Sequence, residues 1–283
     1  MPTTFHQKPN LFIQNVTLKV SNLSRSIDFY TEIIGFRVLQ QEEGRVTLTA
    51  DGQHALITLV EVPNAQFVRG ATGLYHFALL LPSRKDLGNL IQHFIQKNVQ
   101  IGAGDHDVSE ALYLSDPDGN GIEMYIDRPA DTWKWDLNGQ VYMTTDPVQF
   151  QSVLREADGT WSGLPIDTVM GHIHLSVRNL QESEDFYTSL LDYAVVSRYG
   201  GQALFISTGG YHHHIGLNTW HSEGAEALPK DAVGIQSYTV QLPDQDYAVN
   251  LKKRFVEQNM EIKEQENIFS IIEPNGIEVK FTI

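Results

Sequence analysis

Apolar and polar residues alternate through "NVTLKV" (Asn15 to Val20), the pattern of a strand that buries one face. The period then changes. "LSRSIDFYTEII" (Leu23 to Ile34) carries apolar residues at helical spacing behind a serine-rich start, and three short strand-like runs follow it. This order of strand, helix and three strands predicts a βαβββ module, and it recurs along the chain. Four such modules cover roughly 11–62, 73–128, 169–220 and 234–283.

The repeat is also visible residue by residue. "VSNLSRSIDFYTEIIGFRVL" (Val20 to Leu39) returns as "VRNLQESEDFYTSLLDYAVV" (Val177 to Val196), with Asn-Leu and Phe-Tyr-Thr in register. "GLYHFALLLP" (Gly73 to Pro82), ending in "DPDGNGIEMYI", is matched by "GIQSYTVQLP" (Gly234 to Pro243), ending in "EPNGIEVKF". Two duplicated halves, 1–128 and 169–283, are thus expected on either side of a connector at 129–168. Pro, Gly and Asp punctuate the connector, which should hold a short helix at "PVQFQSVLREA" and pack on the surface through Trp133, Trp135 and Trp161. One helix cannot cover both faces of a small sheet. The modules should therefore pair into an α+β fold of two curved eight-stranded mixed sheets, with helices outside and a cavity enclosed.

Composition narrows the chemistry. The chain has 283 residues, 41% hydrophobic and 19% charged, which is ordinary for a globular protein. Its net charge of −15 argues against nucleic acid and anionic membranes, so small-molecule partners are expected. With no cysteine, disulfides, thiolate sites and Cys nucleophiles are excluded, and His, Asp and Glu remain as metal ligands. "MPTTFHQKPN" has no basic or apolar leader pattern, and no run approaches the ~18 apolar residues of a membrane span. A cytoplasmic location is the expectation.

Comparing equivalent positions within the repeat isolates candidate ligands. The first strands of the modules offer Asn15, His76, His172 and Ser237 at one matched position, and the last strands offer Thr58 or a neighbour, Glu123, Gly216 and Glu278 at another. Two imidazoles and one carboxylate on one face suit an open non-haem Fe(II) site, whereas structural zinc closes all four positions.

The stretch "GDHDVSEALYLSDPDGNGIE" (Gly104 to Glu123) resembles the extradiol ring-cleaving dioxygenase signature: Gly-x-His, five residues, Leu-Tyr, two residues, Asp-Pro-x-Gly, three residues, Glu. The whole chain resembles the vicinal-oxygen-chelate superfamily of glyoxalase, bleomycin-resistance and extradiol dioxygenase proteins, with "GHIHL" and "GGYHHHIGLNTW" as further familiar segments. The resemblance implies that His76 and Glu123 are iron ligands, with His106 and Tyr113 contacting substrate. In the usual two-domain enzymes the signature lies in the last module; here it lies in the second. Module four keeps Glu278 but has Ser237 and Ile271 in place of His76 and Tyr113, and is read as a degenerate copy.

The third ligand depends on which modules share a sheet. Pairing one with two would supply Asn15, a weak neutral ligand; pairing two with three supplies His172 and completes the triad. We expect the latter, with modules one and four pairing elsewhere. Module three would then bring "YHHHIGLN", in which strand alternation puts His212, His214, Gly216 and Asn218 on one face. His214 is preferred over His212 as the acid/base group, and His174, taken as opposite to His172 in the alternation, is read as structural. Plain alternatives stand beside each reading: a bonded core histidine for His76, a loop-carbonyl bond for His106, core packing for Tyr113, and a simple turn for Asp116 to Gly121.

The expected reaction is ring cleavage of a catecholic or hydroquinone-like aromatic by dioxygen, with Fe(II), or alternatively Mn(II), on His76, Glu123 and His172 acting as Lewis acid. His214 would move the diol proton, and Tyr113 and His106 would hydrogen-bond substrate oxygens. A glyoxalase-type isomerase or hydrolase, or a protein that sequesters a small aromatic without turnover, are the alternatives on the same scaffold. Relatives of this kind are often homo-oligomers.

Overall fold

The structure, a computed structural model, describes residues 4–283. Module one comprises β1 (Phe12–Val20), helix α1 (Leu23–Asp28) continued by a wider-turned segment (Phe29–Ile34), β2 (Arg37–Glu42), β3 (Arg45–Thr49) and β4 (Ile57–Glu61). Module two comprises β5 (Gly73–Leu80), α2 (Arg84–Gln96), β6 (Gly102–Asp105), β7 (Ser109–Ser115) and β8 (Gly121–Asp127). After α3 (Phe150–Leu154), module three runs through β9 (Val169–Ser176), α4 (Leu180–Asp185) continued by Phe186–Leu190, β10 (Ala194–Tyr199), β11 (Ala203–Ser207) and β12 (Ile215–Asn218). Module four holds β13 (Gly234–Gln241), α5 (Gln245–Glu257), β14 (Lys263–Gln265), β15 (Ile268–Ile272) and β16 (Glu278–Thr282).

The duplicated residues have local work to do. Asn22 and Asn179 cap α1 and α4 by accepting from the backbone N–H of Arg25 and Glu182, which satisfies one of the free donors at each helix start. Tyr30 and Tyr187, from the repeated Phe-Tyr-Thr, are fully buried and donate to or share a bond with Asp116 and Tyr238. The Asp116 turn is therefore more than a turn: it ties module two to the helix of module one.

Two eight-stranded mixed sheets result, in the orders β14-β15-β16-β13-β1-β4-β3-β2 and β10-β11-β12-β9-β5-β8-β7-β6. Modules two and three thus share one sheet through the antiparallel pair β5 and β9, and modules one and four share the other through β1 and β13. This is the pairing that brings His172 to Glu123 and leaves Asn15 in the other sheet, opposite Thr239. Along β5 and β8 alternation separates two faces. Phe77, Leu79, Ile122 and Met124 join Leu87, Leu90 and Phe94 of α2 in the main core, whereas Ala78, Leu80 and Tyr125 belong to the opposite face.

The connector departs from expectation in two ways. Its helix is only Phe150–Leu154, lying over α2 where Gly88 admits the backbone: a Cβ there would stand 2.8 Å from the Val153 oxygen. Trp133 does not pack on the surface but is buried with Val108, Val141 and Tyr211, its ring stacked on Phe5 at 5.4 Å. Trp135 is partly exposed, and Trp161 stacks on His93 at 5.5 Å.

Candidate metal centre and active site

A single row of register partners across four strands assembles the site. Tyr113 of β7 stands opposite Glu123 of β8, Glu123 beside Ala78 of β5, and Ala78 opposite His172 of β9. Ala78 contributes only a methyl group. Over it His172 Nε2 comes within 3.2 Å of Glu123 Oε2, and His76, on the same face of β5, brings its Nε2 within 3.0 Å of the same oxygen. All three residues are buried and their ligand atoms lie within 4.8 Å of one another. Among the described residues this is the one group of three or more such side chains so placed.

The donors suit a divalent cation. His76 Nε2 is close to the carboxylate without an aligned hydrogen bond, while His172 Nε2 is within hydrogen-bond distance of the same oxygen. Glu123 has no lysine or arginine partner among the described residues, and an uncompensated buried carboxylate is costly. Burial pushes its carboxyl up, but His172 and His76 beside it pull it well below the usual range, so it is ionised. Burial also pushes the His172 imidazole down, which keeps a lone pair available for a metal.

These groups form the floor of a cavity of about 1040 Å³. On one side His106 Nδ1 donates to the Thr144 carbonyl at 2.7 Å, which leaves Nε2 to accept from the Tyr113 hydroxyl, also at 2.7 Å. Burial and the Glu123 carboxylate push the Tyr113 phenol well above its ordinary range, so it remains a donor. The lining also includes the apolar and aromatic side chains of Phe67, Tyr75, Trp220, Leu228 and Val233, of which Phe67 and Tyr75 are exposed, together with Arg69 and Arg198.

Two sequence readings do not survive the geometry. His214 is not in the cavity wall: its Nε2 donates to the Phe5 carbonyl at 3.1 Å and its Nδ1 accepts from Thr208 N–H at 3.3 Å, so both nitrogens are engaged by backbone. Strand alternation does not hold there because residues 211–214 are irregular, with bends at His212 and His214, and β12 begins only at Ile215. His213 lines the cavity instead, its ring 4.1 Å from that of His172. Burial, with His172 and His212 nearby, pushes its imidazole well below the usual value. His174 is the second correction. Residues two apart on a strand share a face, so His174 stands on the same side as His172, faces the cavity and pairs in register with His76, ring centroids 5.0 Å apart. Gly216, its partner on β12, makes the room: a Cβ there would lie 2.9 Å from the His174 ring. Glu278, in the other sheet, accepts from Ser270 and pairs with Lys280, with Ser237 rather than histidine opposite it.

Comparison with known proteins places the chain in a family. Residues 12–124 match the family described as Glyoxalase/Bleomycin resistance protein/Dioxygenase superfamily. A catechol-2,3-dioxygenase of Bacillus subtilis (strain 168) is 46% identical over 286 residues, covering 99% of this chain and all of the relative. The chain belongs to the glyoxalase, bleomycin resistance and dioxygenase superfamily. A biphenyl-2,3-diol 1,2-dioxygenase of Rhodococcus globerulus is 27% identical over 56% of this chain and 86% of its own length. The solved structure of glyoxalase I from Zea mays covers 96% of this chain and 92% of its own at a TM-score of 0.57 and 15% identity, a likeness of fold alone. Within the superfamily this chain is an extradiol-type ring-cleaving dioxygenase, by its near-full-length likeness to a dioxygenase. Gly216 of β12 offers no side-chain ligand, so module three brings no second carboxylate at that position.

Proposed function

We propose that this dioxygenase opens the ring of a catechol carrying an apolar substituent, adjacent to the two hydroxyls, and that His76, Glu123 and His172 hold Fe(II). The observation that carries the reading is the placement of two imidazoles and a carboxylate in a cavity of about 1040 Å³ whose lining includes the apolar and aromatic side chains of Phe67, Tyr75, Trp220 and Leu228. An unsubstituted catechol would fill little of it. The relatives named for catechol and for biphenyl-2,3-diol lend support from outside the structure. Mn(II) is the alternative ion for the same donors.

When bound, the ion supplies Lewis acidity toward the diol and open positions for diol and dioxygen. The chain's own residues do the rest. His213, neutral and beside His172 in the cavity wall, accepts the proton that leaves the diol. Tyr113, held protonated and tethered by His106, donates to a substrate oxygen as negative charge develops there. Phe67, Tyr75, Trp220 and Leu228 take the ring substituent and keep water away. A cytoplasmic location and a homo-oligomeric assembly belong to the same proposal, tested by cell fractionation and light scattering.

Oxygen-electrode assays with catechol, 3-methylcatechol and 3-phenylcatechol test the reading. One dioxygen should be consumed per ring opened, with kcat/KM rising by about tenfold or more from the first to the last. Ring loss without oxygen uptake, or a preference for unsubstituted catechol, contradicts it.

A further inference from the structure

One largely enclosed carboxylate, its side chain 12% exposed, has no part in the site described so far. Asp127 closes β8 on the same face as Glu123. Its Oδ1 accepts from His212 Nε2 at 2.8 Å and from the Tyr211 hydroxyl at 3.3 Å, while its Oδ2 is buried without a hydrogen bond. Among the described residues no lysine or arginine pairs with it. A partly buried charge supported only by an imidazole and a phenol adds little to stability, because an apolar residue of similar size would serve the fold about as well.

The link beyond Asp127 suggests what the charge does. His212 is completely buried, and its Nδ1 lies 2.8 Å from Nδ1 of His213. Two ring nitrogens at that distance share one proton, since two bare lone pairs or two N–H groups would repel. Asp127 can only accept, so His212 Nε2 carries a hydrogen. A neutral His212 then has a bare Nδ1, which accepts from the Nδ1–H of His213. Residue 213 is left with a bare Nε2, and it is the member of the chain that lines the cavity.

We propose that Asp127, acting through His212, is a positioning residue for ring cleavage: it fixes the tautomer and orientation in which His213 presents a bare Nε2 to the substrate. The inference rests on the reading of His213 as the group that takes the diol proton. Without the carboxylate, the His212 proton is free to move to Nδ1. His213 would then have to accept through its own Nδ1, carry its hydrogen on Nε2, and meet the diol as a donor. The irregular backbone at 211–214, bent at His212 and His214, makes the arrangement feasible, because in a strand His212 and His213 would point to opposite faces.

The experiment is steady-state kinetics on metal-loaded full-length protein with 3-methylcatechol, for Asp127→Asn, His212→Phe, His213→Ala and the double variant Asp127→Asn/His213→Ala, with metal content measured on each. Asp127→Asn should lower kcat about 10²-fold with KM and metal content unchanged. His212→Phe, which keeps the ring packing against Trp133 and Tyr211, should lose kcat to a similar degree. In the His213→Ala background the Asp127 change should cost less than about twofold, because groups acting as a unit are not additive. Full kcat in Asp127→Asn, or an equal loss in both backgrounds, would overturn the inference and leave a merely structural acid. Full kcat in His213→Ala would instead overturn the reading on which it rests. Should Asp127→Asn fail to fold, His212→Phe decides between the same outcomes.

Discussion

Tyr113 donates its hydroxyl to His106 Nε2 at 2.7 Å, and the opposite nitrogen of that imidazole is anchored on the Thr144 carbonyl. The pair is therefore pre-aligned: His106 fixes where the phenol points, and the register of β7 against β8 puts Tyr113 directly opposite Glu123. We predict that Tyr113→Phe lowers kcat by about 10²-fold while metal content and KM stay within about twofold of wild type, as for the loss of one preorganised donor. Comparing kcat, KM and bound metal checks this. A variant that loses metal along with activity would mean that Tyr113 supports the ligand set rather than the reaction.

The amino-terminal segment is held to the sheet that carries His76, Glu123 and His172 by His6, whose Nε2 lies 2.7 Å from the Gly171 carbonyl, and burial pushes its pKa down to about 4. A base whose folded pKa is depressed contributes stability that is complete above its unfolded pKa near ~6.5. As pH falls below that, the unfolded chain takes up the proton first and stability drains away until the folded pKa is reached. The expected loss is about 3 kcal/mol between pH 7.5 and pH 4. Urea midpoints at the two pH values should shift less in His6→Gln than in wild type. An equal shift in both would place the pH dependence elsewhere.

Gly216 predicts a steric experiment. A Cβ there would press on the His174 ring at 2.9 Å, and that ring stands 5.0 Å from His76. Gly216→Ala should cost about 1–3 kcal/mol in stability by overpacking and lower kcat/KM by about tenfold as the histidines shift. Gly201→Ala is the control, because nothing lies within 4 Å of its added Cβ. Similar activity for the two variants would show that the His174 ring has room to move without disturbing its neighbours.

The sequence carried much of the fold because duplication let it be read against itself. Asn22 and Asn179 recur as caps, and Tyr30 and Tyr187 as buried anchors. His76, Glu123 and His172 were legible as a set because their residue types matched at equivalent positions, and the structure brings them together through the joint of β5 and β9. The failures share one physical cause: alternation was applied where its premise did not hold, or was miscounted. Residues 211–214 are irregular before β12 begins, and His213 rather than His214 lines the cavity. His174, two positions after His172, shares its face. Asp127 gave no signal at all, since its partners come from another module across the sheet and no spacing rule connects them.

Metal content most directly tests the central claim, that modules two and three together hold one catalytic ion. Protein purified anaerobically without a His-tag should carry about one iron or manganese per chain by elemental analysis in wild type and in Asn15→Ala, and essentially none in His172→Ala. Metal retained in His172→Ala, or lost in Asn15→Ala, would contradict it.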